Sequence, residues 1–118
     1  MGFTEERRQH QRFKIREGAF ALQAQKLGQI NDIGIGGLSF QYMSDDSRPV
    51  KTSHLDIIMN NSAFRMKQIP VTIISDREIV TTNPFYTQKI RRCSVQFKDL
   101  SSDRESLMKR FIEANTVG

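Results

Sequence analysis

Short segments of alternating apolar and polar residues fill most of this 118-residue chain, and only the last part changes to a helical period. Leu38, Phe40 and Tyr42 would share one face of a strand, and Cys93, Val95 and Phe97 one face of another. Extended segments are predicted at 19–24, 29–33, 38–43, 54–59, 64–67, 69–74 and 89–97. Six or so short strands with no helix between them indicate an antiparallel barrel or sandwich.

Turns are predicted where glycine, proline, asparagine, aspartate and serine cluster between these segments. Such clusters occur at Lys26–Gly28, Gly34–Gly37, Ser44–Pro49, Asn60–Ser62, Ser75–Glu78 and Thr82–Pro84.

A single helix is predicted from about Ser102 to Ala114. Ser102 and Glu105 have the spacing of a capping box, in which each side chain satisfies a free amide at the start of a helix. One apolar stripe then follows at helical spacing, formed by Leu107, Met108, Phe111 and Ile112. The predicted architecture is therefore a mainly β fold, an antiparallel β-barrel closed by a C-terminal helix.

Composition argues against several functional classes. No apolar run reaches the ~20 residues of a membrane span, and the N-terminus has no apolar stretch typical of a secretion signal. Cys93 is the only cysteine, so an internal disulfide is excluded; its alternating segment favours a buried, inert thiol. These features predict a cytoplasmic protein.

No catalytic or metal site is predicted. His10 and His54 have no histidine or cysteine companions at ligand spacing. The chain also shows no paired acid and base and no triad arrangement, so an enzyme is not expected.

Arginines concentrate before the first predicted strand, in Arg7-Arg8-Gln9-His10-Gln11-Arg12, within a chain of net charge +5. A guanidinium grips phosphate with two hydrogen bonds and matches the O6/N7 edge of guanine. The alternatives for this cluster are a solvated basic arm and a nucleic-acid tail. Single-strand binders use exposed aromatic platforms, whereas here aromatics are only 8% of residues and most alternate inward, so nucleic acid is not the expected partner.

The glycine-rich segment Asp32–Gly37 does not have the context of a common nucleotide loop. The residues after Gly37 alternate like a strand, whereas a dinucleotide fingerprint opens a helix, and no Gly-Lys-Ser or Gly-Lys-Thr follows. Read alone, the segment predicts a tight turn or bulge in which glycine supplies positive φ.

Together these motifs resemble the PilZ domain family. Arg8 and Arg12 form an Arg-x-x-x-Arg motif, and Asp32–Gly37 follows about twenty residues later, near the family's Asp/Asn-x-Ser-x-x-Gly pattern. The ending Cys93–Leu100 and a last helix with Arg104 and Phe111-Ile112 are also similar, so the resemblance runs from about Arg7 to Asn115. It implies a six-stranded antiparallel barrel with a C-terminal helix, which binds the bacterial second messenger cyclic di-GMP.

The resemblance also implies roles for individual residues. Arg8 and Arg12 would bind the phosphates and the guanine Hoogsteen edges, with Arg7 assisting or stacking. Asp32 would accept from a guanine N–H or hold an arginine in place. Gly36 and Gly37 would let the backbone approach the ligand closely, and no cofactor is implied.

Gly34 departs from the family pattern because the family usually has serine at this position. A lost hydroxyl contact costs about 0.5–1.5 kcal/mol, so we expect weakened affinity. Gly34→Ser is expected to tighten binding by up to about tenfold if the turn is built as in the family, and to weaken it if Gly34 needs positive φ.

Two parts of the chain are expected to behave differently. Residues 1–12 form an arm that carries the Arg-x-x-x-Arg motif, and residues 13–115 form the barrel with its helix as a single domain. The arm has few apolar side chains and repelling arginines, so we expect it to be mobile when empty and ordered by ligand. A protein partner of unknown identity would recognise the ordered arm. The alternative is a PilZ-like adaptor that binds a protein but not the nucleotide.

Overall fold

A computed structural model describes residues 11–23, 26–44, 53–60, 63–79 and 89–116. Arg7 and Arg8 lie outside the described residues. So do the predicted turn at Thr82–Pro84 and most of the turns at Ser44–Pro49 and Asn60–Ser62.

Strands form most of the described chain, and one helix ends it. The elements are β1 Phe13–Lys14, β2 Ala19–Gln23, β3 Lys26–Gly34, β4 Gly37–Ser44, β5 His54–Met59, β6 Arg65–Ile79, β7 Lys89–Phe97 and α1 Ser102–Asn115. The described strands pair antiparallel in the order β3-β2-β5-β6-β7-β4, and β4 pairs with β3. This is the predicted six-stranded barrel, with the short β1 added beside β2 along β3.

Alternation places the core inside the barrel, as the sequence predicts for β4 and β7. Leu38, Phe40 and Tyr42 are buried on β4, and Cys93 and Val95 are buried on β7. On β2 the small side chains Ala19 and Ala21 point inward, while Phe20 and Leu22 are half-buried on the other face.

Two predicted turns are wrong. Lys26–Gly28 belongs to β3, where it pairs with β2. Ser75–Glu78 belongs to β6, which joins the two predicted segments at 64–67 and 69–74 into one strand of 15 residues. Pairing with β7 outweighs the local turn preference of Ser75 and Asp76. Register shifts along β6 mark bulges, which let a long strand bend around a barrel.

The helix α1 matches its prediction except at its first turn and on one face. Its N-cap is Ser101, whose side chain accepts from the Arg104 amide, so Ser102 is the first helical residue and not the cap. Met108, Phe111 and Ile112 are buried, while Leu107 is 46% exposed and leaves the predicted stripe. The Phe111 ring stacks on Phe64 with centroids 4.7 Å apart.

The start of α1 is fixed to a strained point of β6. Arg104 donates to the carbonyls of Lys67 and Gln68 at 2.7 and 2.9 Å. Gln68 has a φ of 55°, and its amide donates to Asp56 at 2.8 Å. Burial alone would raise the pKa of Asp56, but the Gln68 amide and the Arg65 guanidinium outweigh it and hold this pKa below its usual value.

The end of α1 lies against the residues that follow β1. The Arg16 amide donates to the Asn115 carbonyl at 2.8 Å, and Ile15 pairs with Thr116 in an isolated bridge. The N-terminal segment is therefore bound to β3 at β1 and to the helix end immediately afterwards. Within the described part of the chain, no helix has the length and apolar character that crossing a membrane requires.

Candidate functional site

Asp32 is the centre of a hydrogen-bonded cluster on the outer surface of the barrel. It follows a register shift in β3, with Ser39 of β4 opposite it on one side and Lys14 of β1 on the other. Its Oδ1 accepts from Arg12 Nη1 at 3.0 Å, and its Oδ2 accepts from Ser39 Oγ at 2.9 Å. Both carboxylate oxygens are therefore occupied by side chains of the protein itself.

Arg12 is held in one place by this contact. Its side chain is 14% exposed and that of Asp32 is 19% exposed, so the ion pair is largely shielded from water. Charge-assisted hydrogen bonds of this kind contribute about 1.5–3 kcal/mol. Of the five guanidinium N–H donors, the hydrogen bonds found among the described residues use only Nη1.

The cluster also contains two residues that the sequence analysis did not predict. Ser39 binds Asp32, and Arg92 of β7 approaches Asp32 Oδ2 at 3.4 Å and Ser39 Oγ at 3.5 Å. The sequence pattern could have indicated Ser39, because Leu38 and Phe40 face inward and Ser39 therefore lies on the outer face of the hairpin with Asp32. The pattern does not indicate Arg92, because its approach depends on how β7 pairs with β4.

The glycines of the β3–β4 turn allow chain segments to approach closely. A Cβ on Gly34 would collide with the Gln11 carbonyl, and a Cβ on Gly37 would collide with the Val95 carbonyl and lie 3.1 Å from Arg12 Nη2. The expected positive φ is wrong for this turn, since Gly18 is the one described glycine that adopts it. Gly36 fixes the turn to β7, because its carbonyl accepts from the Phe97 amide at 2.9 Å.

The structure thus brings together five of the seven predicted site residues: Arg12, Asp32, Gly34, Gly36 and Gly37. Arg7 and Arg8 lie outside the described residues. The contacts of each residue with a ligand stay predictions.

A second charged cluster lies inside the barrel. Arg91 Nε donates to Asp76 Oδ1 at 2.7 Å, and the Tyr42 hydroxyl donates to Asp76 Oδ2 at 2.6 Å. The Arg91 and Asp76 side chains are only 6% and 3% exposed. The hydrogen bond to Asp76 raises the pKa of Arg91 despite its burial. This cluster is buried, and its hydrogen bonds connect β4, β6 and β7.

Cys93 is buried beside this cluster, as the sequence predicts. Burial raises the pKa of its thiol to about 12, so the group stays neutral and unreactive at neutral pH. Over the residues that the structure describes, no three His, Cys, Asp or Glu side chains are grouped so that they could hold a metal ion.

Comparison with known families identifies the domain. The sequence model of the PilZ domain family matches residues 6–114. The chain belongs to the PilZ domain family. No curated protein matches it closely in sequence.

Solved structures share the fold of this PilZ domain. The PilZ domain of YcgR from Escherichia coli with c-di-GMP has a TM-score of 0.66 and 15% identity, over 92% of this chain and 90% of that one. YcgR in complex with c-di-GMP, also from Escherichia coli, has a TM-score of 0.65 and 17% identity, over 92% of this chain and 45% of that one.

MrkH, described as a c-di-GMP-dependent transcription regulatory factor, has a TM-score of 0.64 and 17% identity, over 91% of this chain and 50% of that one. This PilZ domain spans about half the length of the longer YcgR structure and of MrkH.

Replacing Gly34 tests how closely the N-terminal segment lies on the turn. Gly34→Ser and Gly34→Ala both add a Cβ where the Gln11 carbonyl lies, and we expect each to lower the free energy of unfolding by about 1–3 kcal/mol. Thermal unfolding measures the loss. Alanine is the control for the hydroxyl, so a similar loss in both variants assigns the effect to the Cβ. A serine variant more stable than the wild type would contradict the close approach.

Proposed function

We propose that this PilZ domain is a bacterial receptor that binds cyclic di-GMP and acts without catalysis. The observation that carries the proposal is Arg12 fixed against Asp32 on the outer face of the barrel, beside a turn whose glycines let the N-terminal segment and β7 lie close to its backbone. Family membership supports the same ligand, and so does the fold shared with the c-di-GMP complex of YcgR and with the c-di-GMP-dependent factor MrkH.

The chemistry of the ligand suits this arrangement. Cyclic di-GMP carries two phosphodiester charges and two guanines, and guanidinium donors match both groups. Arg12 keeps donors beyond Nη1 for the ligand, and its contact with Asp32 fixes its direction before the ligand arrives. Binding then costs less side-chain entropy than it would with a free arginine.

Asp32 acts in this proposal mainly as a positioning residue. Its two oxygens already accept from Arg12 and Ser39, so an arginine is held in place by a carboxylate that is itself anchored. Arg8 lies four residues before Arg12 and would add a second guanidinium. Arg7 would assist, while Gly36 and Gly37 admit the ligand close to the backbone.

Removing Arg12 tests the site. We expect the wild type to bind cyclic di-GMP with micromolar or tighter affinity in isothermal titration calorimetry. Arg12→Ala should weaken binding by more than about tenfold, because it removes a charge-assisted contact. Arg16→Ala is the matched control, since that arginine is exposed and lies four residues away.

Wild-type binding that survives Arg12→Ala unchanged would contradict the site assignment. Absence of wild-type binding would contradict the proposed function.

The proposed signal is ordering of that part of the N-terminal arm, residues 1–12, which precedes Gln11. Arg7 and Arg8 repel one another without an anion, while Arg12 is already paired with Asp32, and the arm has too few apolar side chains to offset its ordering entropy. The C-terminal end of the arm and the residues that follow it already contact the rest of the domain. Arg12 contacts Asp32, and the Arg16 amide donates to the end of α1 at Asn115. A ligand that draws Arg8 onto the barrel would change the surface presented to a protein partner.

Hydrogen exchange tests this signal. Amides of residues 5–10 should exchange rapidly in the free protein and become protected when cyclic di-GMP saturates it. Amides of β5, His54–Met59, serve as the internal control and should keep their protection. An arm equally protected in both states, or unprotected in both, would contradict ordering as the signal.

A further inference from the structure

The outer face of the barrel continues the candidate site across four strands. The register places Asp32, Ser39, Ser94 and Ser75 in one row over β3, β4, β7 and β6. The next row on the same face contains Gln29, Gln41, Arg92 and Arg77. We call these eight residues the outer shelf. Each has a side chain that can form hydrogen bonds. Directly opposed residues in an antiparallel sheet lie close enough for their side chains to interact.

Arg77 and Arg92 form a like-charged pair on this shelf. They lie directly opposite each other on β6 and β7, an arrangement that destabilises a sheet unless an anion offsets it. Arg92 is only partly compensated, since its contact with Asp32 is long, at 3.4 Å. Arg77 is exposed, and no hydrogen bond or ion pair connects it to another residue in the described ranges.

Positive charge exceeds negative charge along the outer shelf. Asp32 is its only carboxylate, and Arg12 and Ser39 already bind both oxygens of that group. Asp76 and Glu78, the acidic neighbours of Arg77 in sequence, alternate to the other side of β6, and Asp76 is bound inside by Arg91 and Tyr42. The charge of Arg77 is therefore open to an external anion.

The distance between the two ends of the shelf indicates the size of that anion. From β3 to β6 there are three interstrand spacings, about 14 Å in all. A single nucleotide bound at Arg12 would leave Arg77 uncovered, whereas a ligand of two nucleotides extends toward it. The arginines at the two ends, Arg12 and Arg77, match a ligand with two phosphodiesters.

We infer that Arg77 and Arg92 form a second anion-binding point of the same site. They bind the far phosphodiester of a cyclic dinucleotide whose near end is held by Arg12. This inference rests on the proposed function. It assigns binding roles to two strand residues outside both sequence motifs, and it explains why two arginines remain opposed on one face.

Arg77→Gln tests the second anion-binding point. Two properties are measured: the affinity for cyclic di-GMP by isothermal titration calorimetry, and the thermal unfolding of the free protein. Affinity should fall about tenfold, because one charge-assisted contact is lost. The melting temperature of the free protein should rise by roughly 1–4 °C, because repulsion with Arg92 is relieved. Arg110→Gln removes an exposed arginine of α1 as the matched control and should leave the affinity unchanged.

The opposite signs of the two effects separate ligand binding from a structural role. Weaker binding together with a lower melting temperature would overturn the inference, since Arg77 would then stabilise the sheet. Unchanged affinity in Arg77→Gln would also overturn it, while wild-type binding would leave the proposed function standing. A folded wild type that does not bind cyclic di-GMP would overturn both.

Discussion

The ion pair between Arg12 and Asp32 connects the N-terminal segment to the outer face of the barrel, and the candidate site depends on this contact. It is possible because Gly34 and Gly37 carry no Cβ, so Gln11 and Arg12 can lie directly on the β3–β4 turn. Ser39 and Arg92 then fix the carboxylate from β4 and β7. A site built on paired strands is held more rigidly than one built on loops, which favours a preorganised binding surface.

The charged clusters around Asp32 and Asp76 differ in exposure. Asp76, Arg91 and Tyr42 satisfy one another inside the barrel, where an unpaired charge would be costly. Asp32 and Arg12 lie at the surface, with arginines in excess around a single carboxylate. Of these two, the inner cluster stabilises the fold, and the outer cluster has arginine donors left for a ligand under the proposed function.

Local pattern predicts those parts of the chain whose structure is decided locally. The strands at 54–59 and 89–97 have the bounds that their alternation indicates, and α1 agrees within about one residue at each end. Pairing between distant strands decides the rest. Ser75 and Asp76 look like a turn but extend β6 because β7 pairs with them, and alternation alone does not show that Arg91 is buried or that Arg92 reaches Asp32. The motif residues of the site were predictable and alternation places Ser39 beside them, whereas Arg92 on β7 required the register.

Mapping amide chemical shifts by NMR during a titration with cyclic di-GMP tests the central claim, that this ligand binds on the outer face around Arg12 and Asp32. The account predicts that the largest shifts occur at Arg12, Asp32, the turn 34–37 and Arg92, with small shifts along β5 on the other side of the barrel. Shifts concentrated on β5, or no shifts at saturating ligand, would contradict it.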